Sequence, residues 1–222
     1  LLANDPHLPF TAPSPFYLAQ LELKSGGVIG ATVPGIPAVL AGRNANFGWG
    51  IAASYADDQD LFLEELDPAD QERYRGPEGW VSFTTKKSII EVKDAQPVTV
   101  TLRWSVNGPI LPGGHFDLGS VTPPGHVMAL GWMGLDPADT TMTSAIHLMQ
   151  ARDLASGVQA GALQISPALT VTMADEENVG MALFGAIPDR SPKHQSQGRM
   201  PSPGWVAENR WAGRKPYETN PR

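Results

Sequence analysis

Three carboxylates fall within four residues at Asp57-Asp58-Gln59-Asp60. Packed that closely, they repel one another unless a cation or an arginine neutralises them. Asp57 and Asp60, with a backbone carbonyl between them, form an oxygen donor set that suits a hard ion such as Ca2+. The spacing is not that of an EF-hand loop, and composition alone favours a solvated acidic turn or the start of a helix. A second chemistry-bearing residue is His7, set in Asn4-Asp5-Pro6-His7-Leu8. The prolines around it exclude a regular element, and loop histidines often serve sites held on a rigid scaffold. A plain surface histidine is the equal alternative.

Other chemistries are excluded by pattern. The histidines are His7, His115, His126, His147 and His194. No two of them stand three or four residues apart, so a zinc hydrolase has no support. The absence of cysteine removes a thiolate metal site, a cysteine nucleophile and a disulfide framework. No G-x-S-x-G, P-loop or dinucleotide fingerprint occurs. A net charge of -7 argues against a nucleic-acid partner. No apolar run approaches the length of a membrane-spanning helix, and no leader pattern opens the sequence.

The elements that must position these residues are short. Gly 23 and Pro 21 together make about a fifth of the 222 residues, against an average near ~12%. A hydrophobic content of 41%, with 6 Trp and 7 Phe, excludes disorder and leaves short strands and ordered loops. Directly before the acidic cluster, Phe47-Gly48-Trp49-Gly50-Ile51-Ala52-Ala53 reads as a strand too poor in bulky side chains to pack normally. Such a strand lets another backbone, or a ligand, come close. Residues 16–23 read as a buried strand. Residues 84–92 and 97–106 read as a strand pair, the second placing Val98, Val100, Leu102, Trp104 and Val106 inward. Residues 127–133 form another strand, and 168–174 and 179–184 a hairpin. Residues 67–80 are polar and turn-like. Only 139–164 reads as helical, with Asp153 a cap for Leu154, Val158 and Ala162. From residue 190 onward seven Lys/Arg stand against two Asp/Glu, without periodicity; this predicts a loop packed on acidic neighbours. The fold class is α+β, mostly antiparallel β with one helical layer.

The order of several segments resembles the penicillin acylase family of N-terminal-nucleophile hydrolases, which includes penicillin, cephalosporin and acyl-homoserine-lactone acylases. The segments are Leu2-Ala3-Asn4-Asp5-Pro6-His7-Leu8, then Val33-Pro34-Gly35-Ile36-Pro37, then Gly42-Arg43-Asn44 leading to Trp49-Gly50, then Asp57-Asp58-Gln59-Asp60. Further on, Val106-Asn107-Gly108-Pro109-Ile110 resembles the family's His-Gly-Pro-Ile segment, with Asn107 where histidine is common. Gly185-Ala186-Ile187-Pro188-Asp189-Arg190 resembles its Gly-x-Ile-Pro-x-Arg turn. The likeness runs through the whole chain in family order.

The resemblance implies that residues 1–222 are part of the β-chain of an αββα sandwich. It also implies a heterodimer with an α-chain cut from the same precursor, and maturation in the bacterial periplasm. In the family, an N-terminal serine attacks an amide carbonyl with its own α-amino group as base, forms an acyl-enzyme and releases an amine. That serine is expected upstream of Leu1, and a second oxyanion donor, an asparagine, after Arg222, so the piece alone is expected to be inactive. The substrate would be a small acyl amide, releasing an amine such as a β-lactam nucleus or homoserine lactone.

By position, Ala53 matches the residue whose backbone N–H is the other oxyanion donor, and His7 matches the residue beside the nucleophile's amine. Leu8, Ala41, Trp49, Ile51, Ala52 and Tyr55 fall where members line the acyl pocket. Asp57 and Asp60, with the carbonyls of Gln59 and Pro188, match a structural Ca2+ site in those members that carry one. The competing reading is a non-catalytic, β-rich binding module whose acidic loop holds an ion.

Overall fold

The computed structural model describes residues 2–222. They form two compact units: residues up to 58 with 133–187 and 215–222, and residues 59–132 with 188–214. The first unit opens with an extended stretch followed by strands β1 (Tyr17–Leu23), β2 (Gly26–Thr32), β3 (Ala41–Arg43) and β4 (Gly48–Ala53). The chain then builds most of the second unit. This comprises β5 (Gln59–Asp67), β6 (Asp70–Gly76), β7 (Gly79–Ser82), β8 (Thr84–Ile90), β9 (Val98–Ser105), β10 (Gly108–Pro109), a single turn α1 (Leu118–Val121), and β11 (His126–Trp132). It returns to the first unit with α2 (Thr141–Gln150), α3 (Leu154–Ala160), β12 (Leu169–Ala174) and β13 (Val179–Phe184). The second unit is completed by β14 (Pro188–Arg190), β15 (Ser202–Pro203) and β16 (Trp211–Arg214).

In the first unit an antiparallel sheet of six strands runs in the order β1-β2-β3-β4-β12-β13. Alternation places Trp49, Val171, Met173, Ala182 and Phe184 on one face, where they pack with Leu148 and Met149 of α2 and Ala160 of α3. The helical stretch breaks at Ala151, which is extended and buried in this core. It restarts at the expected cap. The Asp153 carboxylate accepts from the Ser156 N–H at 2.8 Å, and Ser156 Oγ accepts from the Asp153 N–H at 3.2 Å. α3 lies so close to the sheet that a Cβ at Gly157 would collide with the Phe47 ring. The hairpin over 168–184 forms as predicted. β1, expected to be buried, is instead an edge strand with Leu18 83% exposed, because the helices cover only one face of the sheet.

The second unit is built on β11-β5-β6-β7, with β15 parallel to β5. The stretch read as turn-like, 67–80, contains the β6–β7 hairpin. Buried Tyr74 anchors it by stacking on Phe83 at 4.8 Å, and Arg75–Glu65 closes a charge pair at 2.8 Å. One apolar anchor amid paired charges leaves no alternation for the sequence to show. β8 and β9 pair as expected, from Thr84↔Trp104 to Ile90↔Val98. The side chains read as inward on β9, however, are exposed at Val98, Val100 and Leu102. The basic segment is not one loop but three short strands joined by polar knots. At its centre, fully buried Asn209 donates through Nδ2 to Gln195 Oε1 and to the Pro203 carbonyl.

Candidate active site

β4 is organised by its two faces. Trp49 points into the helix-covered core, where its Nε1 donates to the Val39 carbonyl at 3.3 Å and its ring stacks on Phe47. Ile51 follows on the same face, packed against that core. Gly48 and Gly50 lie on the opposite face. Leu2 would stand in van der Waals contact with a Cβ at 48, and a Cβ at 50 would collide with the Asn4 side chain. What the bare strand admits is thus the side chains of the chain's own Leu2 and Asn4. β3 pairs with β4 only at Gly48 and Trp49, whereas β12 follows it to the end, Leu169 opposite Ala53. From Gly50 to Ala53 the β3 side of the strand has no strand partner among the described residues. Ala53 ends the strand exposed, Ala52 is half-buried before it, and exposed Tyr55 follows with φ 52°.

His7 sits in an αL conformation (φ 54°) fixed by Asp5. Its N–H donates to Asp5 Oδ1 at 2.9 Å and its Nδ1 lies 2.7 Å from Asp5 Oδ2. That hydrogen bond, with the charge behind it, raises the His7 pKa and lowers that of Asp5. With Nδ1 engaged, His7 addresses any further group through Nε2. Leu8 beside it is exposed. A concavity of about 600 Å3 in this unit is lined by Ala41 and Trp49 together with Asn4, Arg43, Asp175 and Glu176. Ile51 instead lines a smaller apolar cavity of about 160 Å3 with Leu148, Leu169 and Phe184. Of the expected acyl-pocket residues, only Ala41 and Trp49 share the larger concavity. The sequence reading missed Asp175, whose role is set by its turn. It accepts from the N–H groups of Leu154, Glu177 and Asn178, which hold its carboxyl below the usual range.

Of the residues matched to the ion site, Asp57 belongs to the first unit, and Gln59, Asp60 and Pro188 belong to the second. Asp60 is buried. Its Oδ1 accepts from Arg190 Nη2 at 2.8 Å, and its Oδ2 accepts from Arg190 Nε at 2.9 Å and from Trp211 Nε1. His194 Nε2 is 3.8 Å from Oδ2. His194 Nδ1 accepts from the Ser196 and Gln197 N–H groups, so the ring's hydrogen is on Nε2. A Cβ at Gly198 would collide with Asp60 Oδ1, so the loop closes over the pair. The Asp60 charge is therefore matched by an arginine, and among the described residues no three His, Asp or Glu side chains gather as a cation site. Both Asp60 oxygens are engaged by Arg190 and Trp211, and no chemical step below passes through a calcium ion.

The first unit thus holds a sheet whose central strand ends in small residues beside an unpaired flank, with a histidine loop crossing the same strand's glycines. A family model described as penicillin amidase matches residues 1–222, the whole chain. The chain belongs to the penicillin amidase family. Among characterised relatives, the acyl-homoserine lactone acylase QuiP of Pseudomonas aeruginosa is 27% identical over 219 residues, covering 96% of this chain and 25% of that protein. The penicillin G acylase of Escherichia coli is 30% identical over 225 residues, covering 100% of this chain and 25% of the acylase. A solved thermostable penicillin G acylase from Alcaligenes faecalis superposes with a TM-score of 0.82 at 21% identity, over 94% of this chain and 36% of that one. This penicillin amidase chain therefore spans about a quarter of the length of the two curated relatives, and its mostly antiparallel fold matches that of the Alcaligenes faecalis structure.

Proposed function

We propose that the chain forms one wall of the catalytic centre of an acylase that hydrolyses a linear amide through an acyl-enzyme. The observation that supports this best is the family match along the whole chain. The end of β4, where a small residue meets a flank without a strand partner, is consistent with it. In this reading a serine outside the chain attacks the amide carbonyl. The Ala53 N–H donates to the developing oxyanion, which the lack of side-chain atoms beyond Cβ at residues 52 and 53 allows to come within hydrogen-bond reach. Loss of the amine leaves the acyl group on the serine, and water then releases the acid. His7, held by Asp5, orients the serine's amine or its water through Nε2. Ala41 leaves room for a wide or long acyl group. The amine released is of the β-lactam or homoserine-lactone kind, the two chemistries named among the relatives. The rest of the centre comes from a companion chain of the same precursor, matured in the periplasm.

The test is made on the full-length enzyme with phenylacetyl, glutaryl and long-chain acyl amides. Ala53→Pro removes the N–H donor and should lower kcat by about 10²–10³, while Ala53→Gly, which keeps the donor, should retain turnover. Near-UV circular dichroism checks that both variants fold. Turnover by folded Ala53→Pro equal to wild type removes Ala53 from the mechanism. If wild type hydrolyses none of the three acyl classes, the non-catalytic binding module takes its place.

A further inference from the structure

A separate concavity lies wholly within the second unit. It measures about 310 Å3, at the small end of sites that hold small molecules. Strand register builds its walls. Leu61 of β5 and Leu130 of β11 are cross-strand partners and share a face. Leu111, whose N–H donates to the Met128 carbonyl, and buried Leu118 extend that apolar surface. The rim differs: Arg199 and His115 stand there with Met200 and Phe116, all four exposed. Phe116 is 89% exposed at φ 48°, a left-handed backbone that aromatic residues rarely adopt, and its ring lies 4.2 Å from that of His115. Among the described residues the Arg199 guanidinium has no hydrogen-bond or ion-pair partner. Asp60 borders the concavity as well, but both its oxygens are engaged by Arg190 and Trp211. The uncommitted charge at the rim is therefore positive.

We infer that this concavity binds an amphipathic monocarboxylate, its apolar body against the leucines and its carboxylate on Arg199. Both halves of the site are needed to select that class. A guanidinium offers a fork that matches the two oxygens of a carboxylate, and the His115 ring supplies a further N–H at the same rim. The leucine walls give a compact anion nothing to bury, so an apolar body is what distinguishes the ligand from acetate or an inorganic ion. An apolar cation is repelled by Arg199, and an uncharged apolar molecule leaves the guanidinium unpaired. The acid released by the proposed hydrolysis belongs to the selected class, which makes product a natural occupant. Binding here is nonetheless independent of whether Ala53 takes part in that reaction.

Calorimetric titration of the full-length enzyme with octanoate should give a dissociation constant of about 1 mM or tighter. Acetate lacks the body and octylammonium lacks the anion, and each should bind about tenfold or more weakly. Arg199→Met should weaken octanoate about tenfold or more, and Arg199→Lys should recover part of the loss. Near-UV circular dichroism confirms that both variants fold. A diazirine-bearing octanoate should label residues 111–118 or 198–201. Binding at the catalytic centre alone would be indifferent to position 199, so unchanged affinity in folded Arg199→Met overturns the inference. So does the absence of octanoate binding, equal binding of octylammonium, or labelling confined to other segments. An enzyme that hydrolyses no acyl amide yet binds octanoate through Arg199 would overturn the proposed function and leave this inference standing.

Discussion

Asp60 and Glu64 stand four residues apart on one face of β5, both buried, and each meets an arginine from the basic segment. Asp60 receives the guanidinium as a fork, two nitrogens on two oxygens, with Trp211 adding a third donor. Glu64 accepts from Asn107 Nδ2 on Oε1 at 2.8 Å, with no such fork. Its Oε2 has no hydrogen-bond partner among the described residues, and neither has the buried Nε of Arg210. Burial pushes the Glu64 carboxyl above the usual range, against the opposing pull of Ser105, Asn107 and Arg210. A nearby arginine is thus not sufficient to keep a buried carboxylate comfortable. The bidentate geometry is what decides.

The comparison can be broken most forcefully at Arg190. Arg190→Met leaves Asp60 buried without its counter-charge and should cost about 3–5 kcal/mol of unfolding free energy, measured by urea titration of the full-length protein. Adding Asp60→Leu should recover part of that loss. If the double variant is as unstable as the single one, the uncompensated charge is not the cause.

Glu64→Gln should act in the opposite sense. Because folding raises the Glu64 pKa above its ordinary 4.5, folding favours the neutral acid. The wild type therefore loses stability as pH climbs from that value through the raised one, while the glutamine variant does not. Melting curves from pH 4 to 8 should diverge on the order of 1 kcal/mol, with Glu64→Gln the more stable at the upper end. Parallel curves would place the carboxyl in its ordinary range. The smallest effect belongs to the exposed pair. Asp5→Asn should move the His7 titration down toward its ordinary midpoint, read by ring-proton NMR, with no measurable change in melting.

Much of the fold was legible from residue patterns. The β8–β9 pairing, the β12–β13 hairpin and the Asp153 cap each follow from local alternation or capping chemistry, and each stands where the pattern put it. β6 and β7 were not legible, because Tyr74 is a lone apolar anchor among paired charges. The basic segment was hidden for a related reason, since Asn209 and the Arg190–Asp60 fork hold it by polar contacts at long range, which no periodicity reports. The expectation that it packs on acidic neighbours was correct. At the site, the acidic cluster left open whether a cation or an arginine neutralises it, and for Asp60 the answer is Arg190. The bare strand was recognised as a place of close approach, but residues 2–4 as what approaches Gly48 and Gly50 required the third dimension. The outward stripe of β9 was read as inward because alternation specifies which side chains share a face, and not whether anything lies against it.

One absent carbon atom on β4 acts as an address. Asn4 can lie across the strand only where Gly50 leaves room, so the path of the segment that carries His7 is indexed to a position more than forty residues away. Any side chain introduced at 50 would evict Asn4 and re-aim the histidine loop without touching it. The control point for His7 is therefore a vacancy in a strand, and mutational maps that score only side chains already present would pass over it.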